Sequence, residues 1–379
     1  MGESISGFDL MEKLRGKSKQ EKRSEFTSYL ELKARDKGVP ICGQFELTPL
    51  CNFDCKMCYV HLLPEQMKER SPLSVATWKD LMNQAWEAGM IRAVLTGGEC
   101  LIYPAFDELF LYLLGLGVEV TVLTNGYLLN EERITFFKAH KPRKIQITLY
   151  GWNNDVYERV TGQRAFNTVF KNIQSALQAR LPVTLCITPN TFLGEDVLET
   201  IRIGIDLGVR IQINSSIFTP HEDTGRAEQQ ADPDDEMYIR IYRMLNELRG
   251  VANNEIEESR LPPVGGPCHD CEERGFQCGG GRSAFVVNWQ GELIPCNRMS
   301  MIRGYPIKEG FITAWEGINR TVNNWPRVPE CNGCAYEEVC ENCAANMLRF
   351  AKPGKQPIAL CERTKKFIRH GVWQIPECE

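Results

Sequence analysis

The sequence contains no hydrophobic run long enough to cross a bilayer. Across its 379 residues, every apolar stretch falls short of the roughly 18 residues that a membrane-spanning helix requires. The first residues are polar and lack the hydrophobic region of a secretory signal peptide. The sequence therefore predicts a protein that does not associate with a membrane and stays in the cytoplasm.

The chain also has little excess of charge of either sign. The formal net charge is −5 at pH 7, and Lys and Arg are spread along the chain, so the basic patch typical of a nucleic-acid-binding protein is missing. Residues 13–37 are locally basic, but glutamates and aspartates are interspersed among the lysines and arginines. That mixture is typical of a solvated helix, and we expect no nucleic-acid partner.

Cysteine, by contrast, is abundant. Sixteen cysteines in a chain without a secretion signal indicate metal or redox chemistry rather than a disulfide framework. Ten of them fall between Cys268 and Cys378. This change in composition predicts three regions, which are an N-terminal helical extension (1–40), a central domain (41–250), and a cysteine-rich C-terminal domain with its tail (251–379).

Three cysteines lie within eight residues of one another, at Cys51, Cys55 and Cys58. A zinc site usually takes four ligands from two C-x2-C pairs, and no fourth ligand is nearby. Thiolates also bind iron–sulfur clusters, and a site of three cysteines would leave one iron open to another ligand. The triplet therefore predicts an iron–sulfur site, with a structural zinc knuckle as the alternative.

A second motif follows further along the chain. Residues 92–96 have the pattern of a short buried strand and are followed by Gly97, Gly98 and Glu99. Two glycines allow the backbone to approach a ligand closely. A carboxylate beside them can hold an ammonium group through charge-assisted hydrogen bonds.

In their order, and in their place behind successive strands, the two motifs resemble those of the radical S-adenosylmethionine (SAM) superfamily. The resemblance implies that the triplet holds a 4Fe–4S cluster whose open iron binds the amino and carboxylate groups of SAM. It also implies that one electron, supplied by a small reductant protein such as flavodoxin or ferredoxin, cleaves SAM to a 5′-deoxyadenosyl radical that abstracts a hydrogen atom. Gly97, Gly98 and Glu99 would hold the methionine amino group.

The sequence departs from the usual pattern of that superfamily at two positions. The residue before the third cysteine is usually aromatic, and here it is Met57, with the aromatic side chain displaced to Tyr59. The Gly-Gly-Glu motif is usually followed by proline, and here it is followed by Cys100. Neither change removes a ligand, and we expect Tyr59 to lie at the cofactor site.

Between residues 43 and 215, strand-like and helix-like segments alternate, which predicts an α/β fold with a parallel sheet. The strand candidates are 43–48, 92–96, 118–124, 144–149, 183–188 and 209–214. Six such units predict an incomplete barrel, and the resemblance implies the same TIM-like partial (βα)6 barrel. Asn130 is expected to cap one helix, and Asp232 and Pro233 to open another.

Barrel enzymes place their chemistry at the C-terminal ends of the strands. The triplet follows the first predicted strand and the Gly-Gly-Glu motif follows the second. By the same rule, Asn125 and Thr148 end the third and fourth strands and join the candidate SAM-binding residues. The alternative role for such polar strand-end residues is a turn or a cap.

The C-terminal cysteines form a pattern of their own. Residues 285–294 have the signature of a β-hairpin, with two apolar runs around a turn that contains Gly291. The cysteines over about residues 268–365 resemble the SPASM domain of radical SAM enzymes, which implies two auxiliary 4Fe–4S clusters and three clusters in the whole chain. The implied ligands are Cys278, Cys296 and Cys343, with Cys271 or Cys268 as the fourth, for the first auxiliary cluster, and Cys331, Cys334, Cys340 and Cys361 for the second. A zinc ribbon built on the later cysteines is the alternative.

The resemblance to SPASM enzymes also implies a peptide substrate, most often a ribosomal precursor peptide that receives a crosslink or a thioether. Only about forty residues precede the first predicted strand, so we expect no winged-helix leader-binding domain of about eighty residues. The acidic segment 219–235 follows the sixth strand and could cover a basic peptide, or it could be a solvated loop.

Other reactions remain open. Formylglycine formation, the reaction of sulfatase maturases, is disfavoured because Asn297 stands where those enzymes place an aspartate base. Peptide epimerisation would need a hydrogen-atom donor, and Cys186 and Cys100 are the candidate catalytic thiols. A buried structural cysteine is the alternative reading of Cys186. A small-molecule dehydrogenase and a non-catalytic iron–sulfur electron-transfer protein are the remaining alternatives.

Overall fold

The computed structural model describes most of the chain between residues 19 and 374. The segments outside the description are 1–18, 68–69, 216, 219, 221–230, 257–260, 262–275, 277, 332–333, 338, 342 and 375–379, together with the side chains of 19–24 and Pro64. Cys268, Cys271 and Cys378 therefore lie outside the described residues, as does most of the acidic segment 219–235.

The first part of the described chain alternates strands and helices. Its elements are α1 (Lys19–Lys37), β1 (Cys42–Glu46), α2 (Val75–Glu87), β2 (Arg92–Thr96), α3 (Phe106–Gly115), β3 (Glu119–Thr124), α4 (Glu131–Ala139), β4 (Lys144–Thr148), α5 (Asn154–Thr161), α6 (Phe166–Gln178), β5 (Val183–Ile187), α7 (Asp196–Asp206), β6 (Arg210–Ile213) and α8 (Asp235–Leu248). All six predicted strands are present, within one or two residues of their expected ends.

The cysteine-rich part contributes two strands and four helices. They are β7 (Ala284–Val287), β8 (Leu293–Ile294), α9 (Pro306–Glu309), α10 (Phe311–Asn323), α11 (Ala344–Met347) and α12 (Ile358–Arg369). The predicted hairpin corresponds to the antiparallel pair β7–β8.

All strands belong to one sheet with the order β6-β5-β4-β3-β2-β1-β7-β8. Strands β1 to β6 are parallel to their neighbours, which confirms the predicted partial six-stranded α/β barrel. Strand β7 pairs with β1 in parallel, so the hairpin continues the barrel sheet across the boundary predicted at residue 250. The two parts of the chain thus share a sheet, and the predicted division into three regions stays a prediction.

One hydrophobic core extends through the barrel and continues beneath the hairpin. Phe45 on β1 contacts Trp78 on α2 and Phe285 on β7, each in an edge-to-face arrangement. A methyl group on Gly43 would lie 2.5 Å from the Phe285 ring, so glycine at that position permits the close approach of β7 to β1. Each aromatic pair of this kind adds about 0.5–1.5 kcal/mol beyond the area that it buries.

Local signals set the ends of several helices. Asn130 accepts a hydrogen bond from Arg133 N and caps α4, as predicted. The helix expected to open at Asp232 and Pro233 begins later, because the carboxylate of Asp234 accepts a hydrogen bond from Met237 N and takes the N-cap position of α8. That part of the prediction was wrong by two residues. Within the described ranges, we find no helix with the length and apolar character to span a bilayer.

Candidate functional site

A cavity of about 380 Å³ opens at the C-terminal ends of the barrel strands. Its wall is formed by the loop after β1 that carries Cys51, Cys55 and Cys58 (the cysteine loop), by residues of strands β1 to β6 and their ends, and by one residue of the cysteine-rich part. The lining residues are Gln44, Cys55, Met57, Cys58, Tyr59, Val60, Thr96, Gly97, Gly98, Leu123, Thr124, Asn125, Gln146, Thr148, Tyr150, Cys186, Thr188, Gln212, Asn214, Ile217, Phe218 and Asn297. Eight of the predicted site residues from the barrel therefore meet at one cavity, namely Cys55, Cys58, Tyr59, Gly97, Gly98, Asn125, Thr148 and Cys186.

Two thiols of the triplet, those of Cys51 and Cys58, receive hydrogen bonds from N–H groups. Phe53 N donates to Cys51 Sγ at 3.4 Å, and His61 N donates to Cys58 Sγ at 3.3 Å. The side-chain amide of Asn125 lies 3.6 Å from Cys51 Sγ. Burial is the largest influence on Cys51 and raises the pKa of its thiol to about 12. Donors aimed at sulfur offset that cost for a thiolate bound to iron, so the loop fits an iron–sulfur cluster.

A single-ion site fits the described residues less well. Among them, no group of three or more His, Cys, Asp or Glu side chains converges closely enough to hold one metal ion. A tetrahedral zinc ion brings all its thiolates within about 2.3 Å of one point. An iron–sulfur cluster instead binds each cysteine to a different iron, and wider spacing of the thiols suits it.

Gly97 and Gly98 are needed for contact within the chain itself. A methyl group on Gly97, whose φ is +137°, would lie 2.4 Å from Thr48 O. A methyl group on Gly98 would lie 2.2 Å from Leu50 O. Gly98 N donates to Thr48 O at 2.7 Å. The two glycines thus allow the cysteine loop to lie against the end of β2, and their predicted close approach to a ligand stays a prediction.

Glu99 is 1% exposed and connects the ends of β2 and β3. Its carboxylate accepts hydrogen bonds from Asn125 N at 2.7 Å, from Thr124 Oγ1 at 2.9 and 3.0 Å, and from Leu101 N at 3.1 Å. Burial raises the pKa of this carboxyl group, and the hydrogen bonds oppose the rise. Through these hydrogen bonds Glu99 orients Asn125 and holds the ends of β2 and β3 together. Its contact with the amino group of a bound methionine stays a prediction.

The two candidate catalytic thiols differ in position. Cys100 is fully buried and its thiol lies 3.2 Å from Leu123 O, a contact that ties β2 to β3. Burial, followed by the charge of Glu99, raises the pKa of Cys100, and this side chain is outside the cavity wall. Cys186 on β5 lines the cavity and is 6% exposed. Burial raises its pKa as well, with a hydrogen bond from Thr188 acting in the opposite direction.

Tyr59 stands between the barrel and the cysteine-rich part. Its hydroxyl accepts a hydrogen bond from Asn297 Nδ2 at 2.8 Å and lies 3.4 Å from Glu46 Oε1. Burial, then the charge of Glu46, raises the pKa of Tyr59 well above its usual value. The tyrosine therefore stays a neutral hydrogen-bonding group in the cavity wall.

Three glutamines that the sequence reasoning missed also line the cavity. Gln44, Gln146 and Gln212 come from β1, β4 and β6. Alternation along a strand sends every second side chain to the same face. The signal that could have found them is a polar residue at alternate positions of an otherwise apolar strand, as in the Lys-Ile-Gln-Ile-Thr sequence of β4.

The described cysteines of the C-terminal part fall into two clusters in space. The first thiol group consists of Cys278, Cys296 and Cys343. Burial is the main cause that raises the pKa of Cys296 to about 11, and the charges of Cys278 and Cys343 raise it further. The backbone N–H and the charge of Arg298 act in the opposite direction and lower the pKa of Cys296. These three are the residues that the resemblance assigned to one auxiliary cluster, and both candidates for its fourth ligand lie outside the described residues.

The second thiol group, Cys331, Cys334, Cys340 and Cys361, lines one cavity beneath α12. Burial, and then the charges of Cys361, Cys340 and Cys334, raises the pKa of Cys331 to about 12. Thr364 Oγ1 on α12 lies 3.4 Å from Cys340 Sγ. The four thiols brought together here are the four that the resemblance grouped, and four cysteines complete the donor set of a cubane cluster.

Comparison with known proteins supports the resemblance of this chain to the radical SAM superfamily. Residues 45–223 match the model of the radical SAM superfamily. The chain is 23% identical over 322 residues to the AdoMet-dependent heme synthase of Methanosarcina barkeri, covering 79% of this chain and 90% of that protein. It is 26% identical over 263 residues to AlbA of Bacillus subtilis, the antilisterial bacteriocin subtilosin biosynthesis protein, covering 68% of this chain but only 55% of AlbA.

Solved structures show the same fold. The crystal structure of Streptococcus suis SuiB bound to S-adenosylmethionine superposes with a TM-score of 0.65 at 15% identity, covering 92% of this chain and 84% of SuiB. SuiB bound to its precursor peptide SuiA gives a TM-score of 0.63 at 14% identity, covering 94% and 86%. With the matching family model and the cavity at the strand ends, these findings identify the barrel of this protein as a radical SAM domain.

Proposed function

We propose that this protein is a radical SAM enzyme that abstracts a hydrogen atom from a precursor peptide and forms a crosslink or a thioether in it. The observation that carries the proposal is one cavity that gathers Cys55 and Cys58 of the triplet, the glycine pair after β2 and polar residues from four further strands. Asn297 brings the cysteine-rich part to the wall of that cavity. Relatives whose names refer to peptide products support the choice of substrate.

The donor sets on the chain fit three 4Fe–4S clusters. The triplet would hold the one that binds SAM, and the first and second thiol groups would hold the auxiliary two, with Cys268 or Cys271 completing the first. When bound, the cluster of the triplet supplies the electron for reductive cleavage of SAM. A small reductant protein, flavodoxin or ferredoxin, is the proposed source of that electron.

The chain's own residues position the reactants. Asn125 is fixed by Glu99 through its backbone N–H and reaches Cys51 with its side chain. The amides of Gln146 on β4 and Asn214 after β6 line the same cavity and offer donors and acceptors that match a peptide backbone. Tyr59 and Phe218 contact each other edge to face, with 5.1 Å between ring centroids, and restrict the access of water to the cavity from the side of the cysteine-rich part.

The contacts of Asn297 argue against formylglycine formation. An amide cannot accept a proton as a carboxylate does, and here Asn297 Nδ2 donates to the Tyr59 hydroxyl. The position is therefore used for a structural hydrogen bond. This supports a product other than formylglycine.

A small-molecule substrate is the second candidate. The alignment with the heme synthase relative spans 90% of that protein, whereas the alignment with AlbA spans 55% of AlbA. A cavity of about 380 Å³ lies within the range of small-molecule sites, about 300–1,000 Å³. The experiment below separates the two candidates.

The test uses the anaerobically reconstituted protein with SAM, dithionite and each short peptide encoded beside its gene. Mass spectrometry should show a peptide that loses two hydrogens for each bond formed, together with stoichiometric 5′-deoxyadenosine. The variant with Cys51, Cys55 and Cys58 changed to alanine is the matched control and should give neither product. Formation of 5′-deoxyadenosine with every peptide unmodified, and with turnover of a small molecule instead, would favour the second candidate.

A further inference from the structure

The first thiol group is connected to the wall of the substrate cavity through one side chain, Arg298. Its Nη1 lies 3.8 Å from Cys343 Sγ. Arg298 also acts on Cys296, where both its backbone N–H and its charge lower the pKa of the thiol.

The guanidinium is held in this position from both sides. Nη2 donates to Asn346 Oδ1 at 3.0 Å, and Asn346 is 1% exposed. Asn346 N donates to Cys343 Sγ at 3.3 Å, and its side-chain amide donates to Glu341 O at 2.8 Å. Because every polar group of this asparagine has a partner, its oxygen is a rigid acceptor that directs the guanidinium towards Cys343.

On its other side the guanidinium lies over an aromatic ring of the cavity wall. The Arg298 Cζ atom is 5.8 Å from the centroid of Phe218. Phe218 lines the cavity and contacts Tyr59, the residue that follows Cys58. Side-chain contacts therefore run without a break from the cysteine loop of the barrel to Cys343.

We propose that Arg298 is a positioning residue that sets the reduction potential of the cluster held by the first thiol group, from the side that faces the substrate cavity. The proposal rests on the proposed function, in that these thiols hold an iron–sulfur cluster. Reduction adds negative charge to such a cluster, and hydrogen bonds and positive charge at its sulfurs favour the reduced form. The fixed charge of Arg298 therefore raises the potential of this cluster above that of the cluster held by the second thiol group.

The second thiol group has a different environment, which sharpens the contrast. Its neighbours at the cavity include Glu330, and Glu337, whose carboxylate is paired with Arg327 at 3.3 Å. The neutral side chains of Thr364 and Gln356 donate hydrogen bonds to two of its sulfurs, and the charge of Glu362 acts on Cys361 in the direction that raises its pKa. The charge of Glu330 acts on Cys331 in the direction that raises its pKa. Anionic neighbours disfavour added electrons, so the two auxiliary clusters should differ in potential in the stated order.

The test is an anaerobic redox titration monitored by electron paramagnetic resonance on the reconstituted full-length protein. Three variants are compared with the wild type: Arg298→Gln removes the charge, Arg298→Lys keeps it, and Arg303→Gln is the matched control. Arg303 lies five residues further on and forms an ion pair with Glu292 on the hairpin. Iron is counted in every sample first, so that a missing cluster is recognised as a failure of the proposed function and not of this inference.

With a full complement of iron, Arg298→Gln should lower the reduced fraction of one auxiliary cluster at least tenfold at a fixed solution potential. For a one-electron couple, that corresponds to a shift of about 59 mV to more negative potential. Arg298→Lys should stay near the wild type, Arg303→Gln should match it, and the signals of the other two clusters should not move.

An unchanged potential in an iron-replete Arg298→Gln protein would overturn the proposal. So would an equal shift of all three clusters, since that would be a general effect of net charge. If Arg298→Gln does not retain its iron, Arg298→Met replaces it in the comparison, because that variant also removes the charge and adds no new charge beside Cys343. A shift to more negative potential confined to one cluster then supports the proposal, and no shift overturns it.

Discussion

The side-chain amide of Asn297 donates a hydrogen bond to the hydroxyl of Tyr59 at 2.8 Å, across a separation of 238 residues in sequence. Each of the two residues directly follows a cysteine that is predicted to bind iron. The bond therefore fixes the distance between the cysteine loop of the barrel and the first thiol group. It forms at the wall of the candidate active-site cavity, where a substrate would contact both parts of the protein.

Iron content tests the three predicted clusters. The anaerobically reconstituted wild type should bind about twelve irons, since each 4Fe–4S cluster contributes four. Changing Cys51, Cys55 and Cys58 to alanine should remove about four of them, and changing Cys331, Cys334, Cys340 and Cys361 should remove another four independently. A wild type with about four irons and bound zinc would contradict the assignment of the C-terminal cysteines.

The carboxylate of Glu99 should affect both SAM affinity and the pH dependence of stability. Glu99→Ala should weaken SAM binding by about 1.5–3 kcal/mol, the value of a hydrogen bond to a charged group. It should also lower the melting temperature, because the N–H groups of Asn125 and Leu101 lose a buried acceptor. Equilibrium dialysis with SAM and thermal denaturation measure the two effects separately.

The pH dependence follows from the sign of the shift in Glu99. Its pKa is raised in the folded protein, so the stability linked to its protonated form is present below the ordinary pKa of the carboxyl group and is lost as the pH rises through the folded value. Glu99→Gln should flatten the dependence of the free energy of unfolding on pH in that window. A wild type and a Glu99→Gln protein with parallel profiles there would contradict this reading.

Gly98 should tolerate no side chain. A methyl group there would meet Leu50 O at 2.2 Å, so Gly98→Ala should displace the cysteine loop and destabilise the protein by about 1–3 kcal/mol, the cost of overpacking. Gly115→Ala at the end of α3 is the control, because no neighbouring atom lies within 4 Å of its added methyl group. Denaturant unfolding and iron content should both distinguish the two variants, and equal stability of the two would refute the packing argument.

Cys186 distinguishes epimerisation from bond formation. Its thiol lines the cavity on the wall formed by β5. If the product is an epimer, Cys186→Ala should still form 5′-deoxyadenosine but should no longer deliver a hydrogen atom to the peptide. If the product is a crosslink or a thioether, product formation should fall less than tenfold in that variant. Deuterium incorporation from heavy water into the peptide α-carbon is the measurement.

The carboxylates of the acidic segment 219–235 should fall into two groups, one that stabilises the fold and one that binds the peptide. The described carboxylates have structural partners, since Asp232 pairs with Arg349 at 2.6 Å, Asp235 pairs with Arg363 at 3.0 Å and Asp234 caps α8. Changing these three to amides should lower thermal stability because the two ion pairs are lost, whereas Asn at position 234 can still cap α8. Changing Glu222, Asp223 and Glu228, which lie outside the described residues, should instead weaken the binding of a basic peptide at low salt. Unaltered peptide affinity in the second variant would contradict a role in recognition.

The sequence alone determined the type of fold and the position of the reactive groups along it. Strand and helix periods are local properties, because side chains alternate along a strand and recur every three to four residues on a helix, and all six barrel strands could be predicted from them. The rule that chemistry lies at the C-terminal ends of parallel strands then placed the triplet, Gly97 and Asn125 together. Cap chemistry is equally local, and Asn130 was predicted for that reason.

Only the tertiary structure decided which distant groups meet. No local pattern indicates that β7 pairs with β1, that Asn297 reaches Tyr59, or that Arg298 lies between Cys343 and Phe218. These contacts depend on how the cysteine-rich part packs against the barrel, and packing is set by the fit of whole surfaces rather than by any one segment. For the same reason Gly98 was predicted to approach a ligand, whereas the atom that excludes a side chain there is Leu50 O of its own chain.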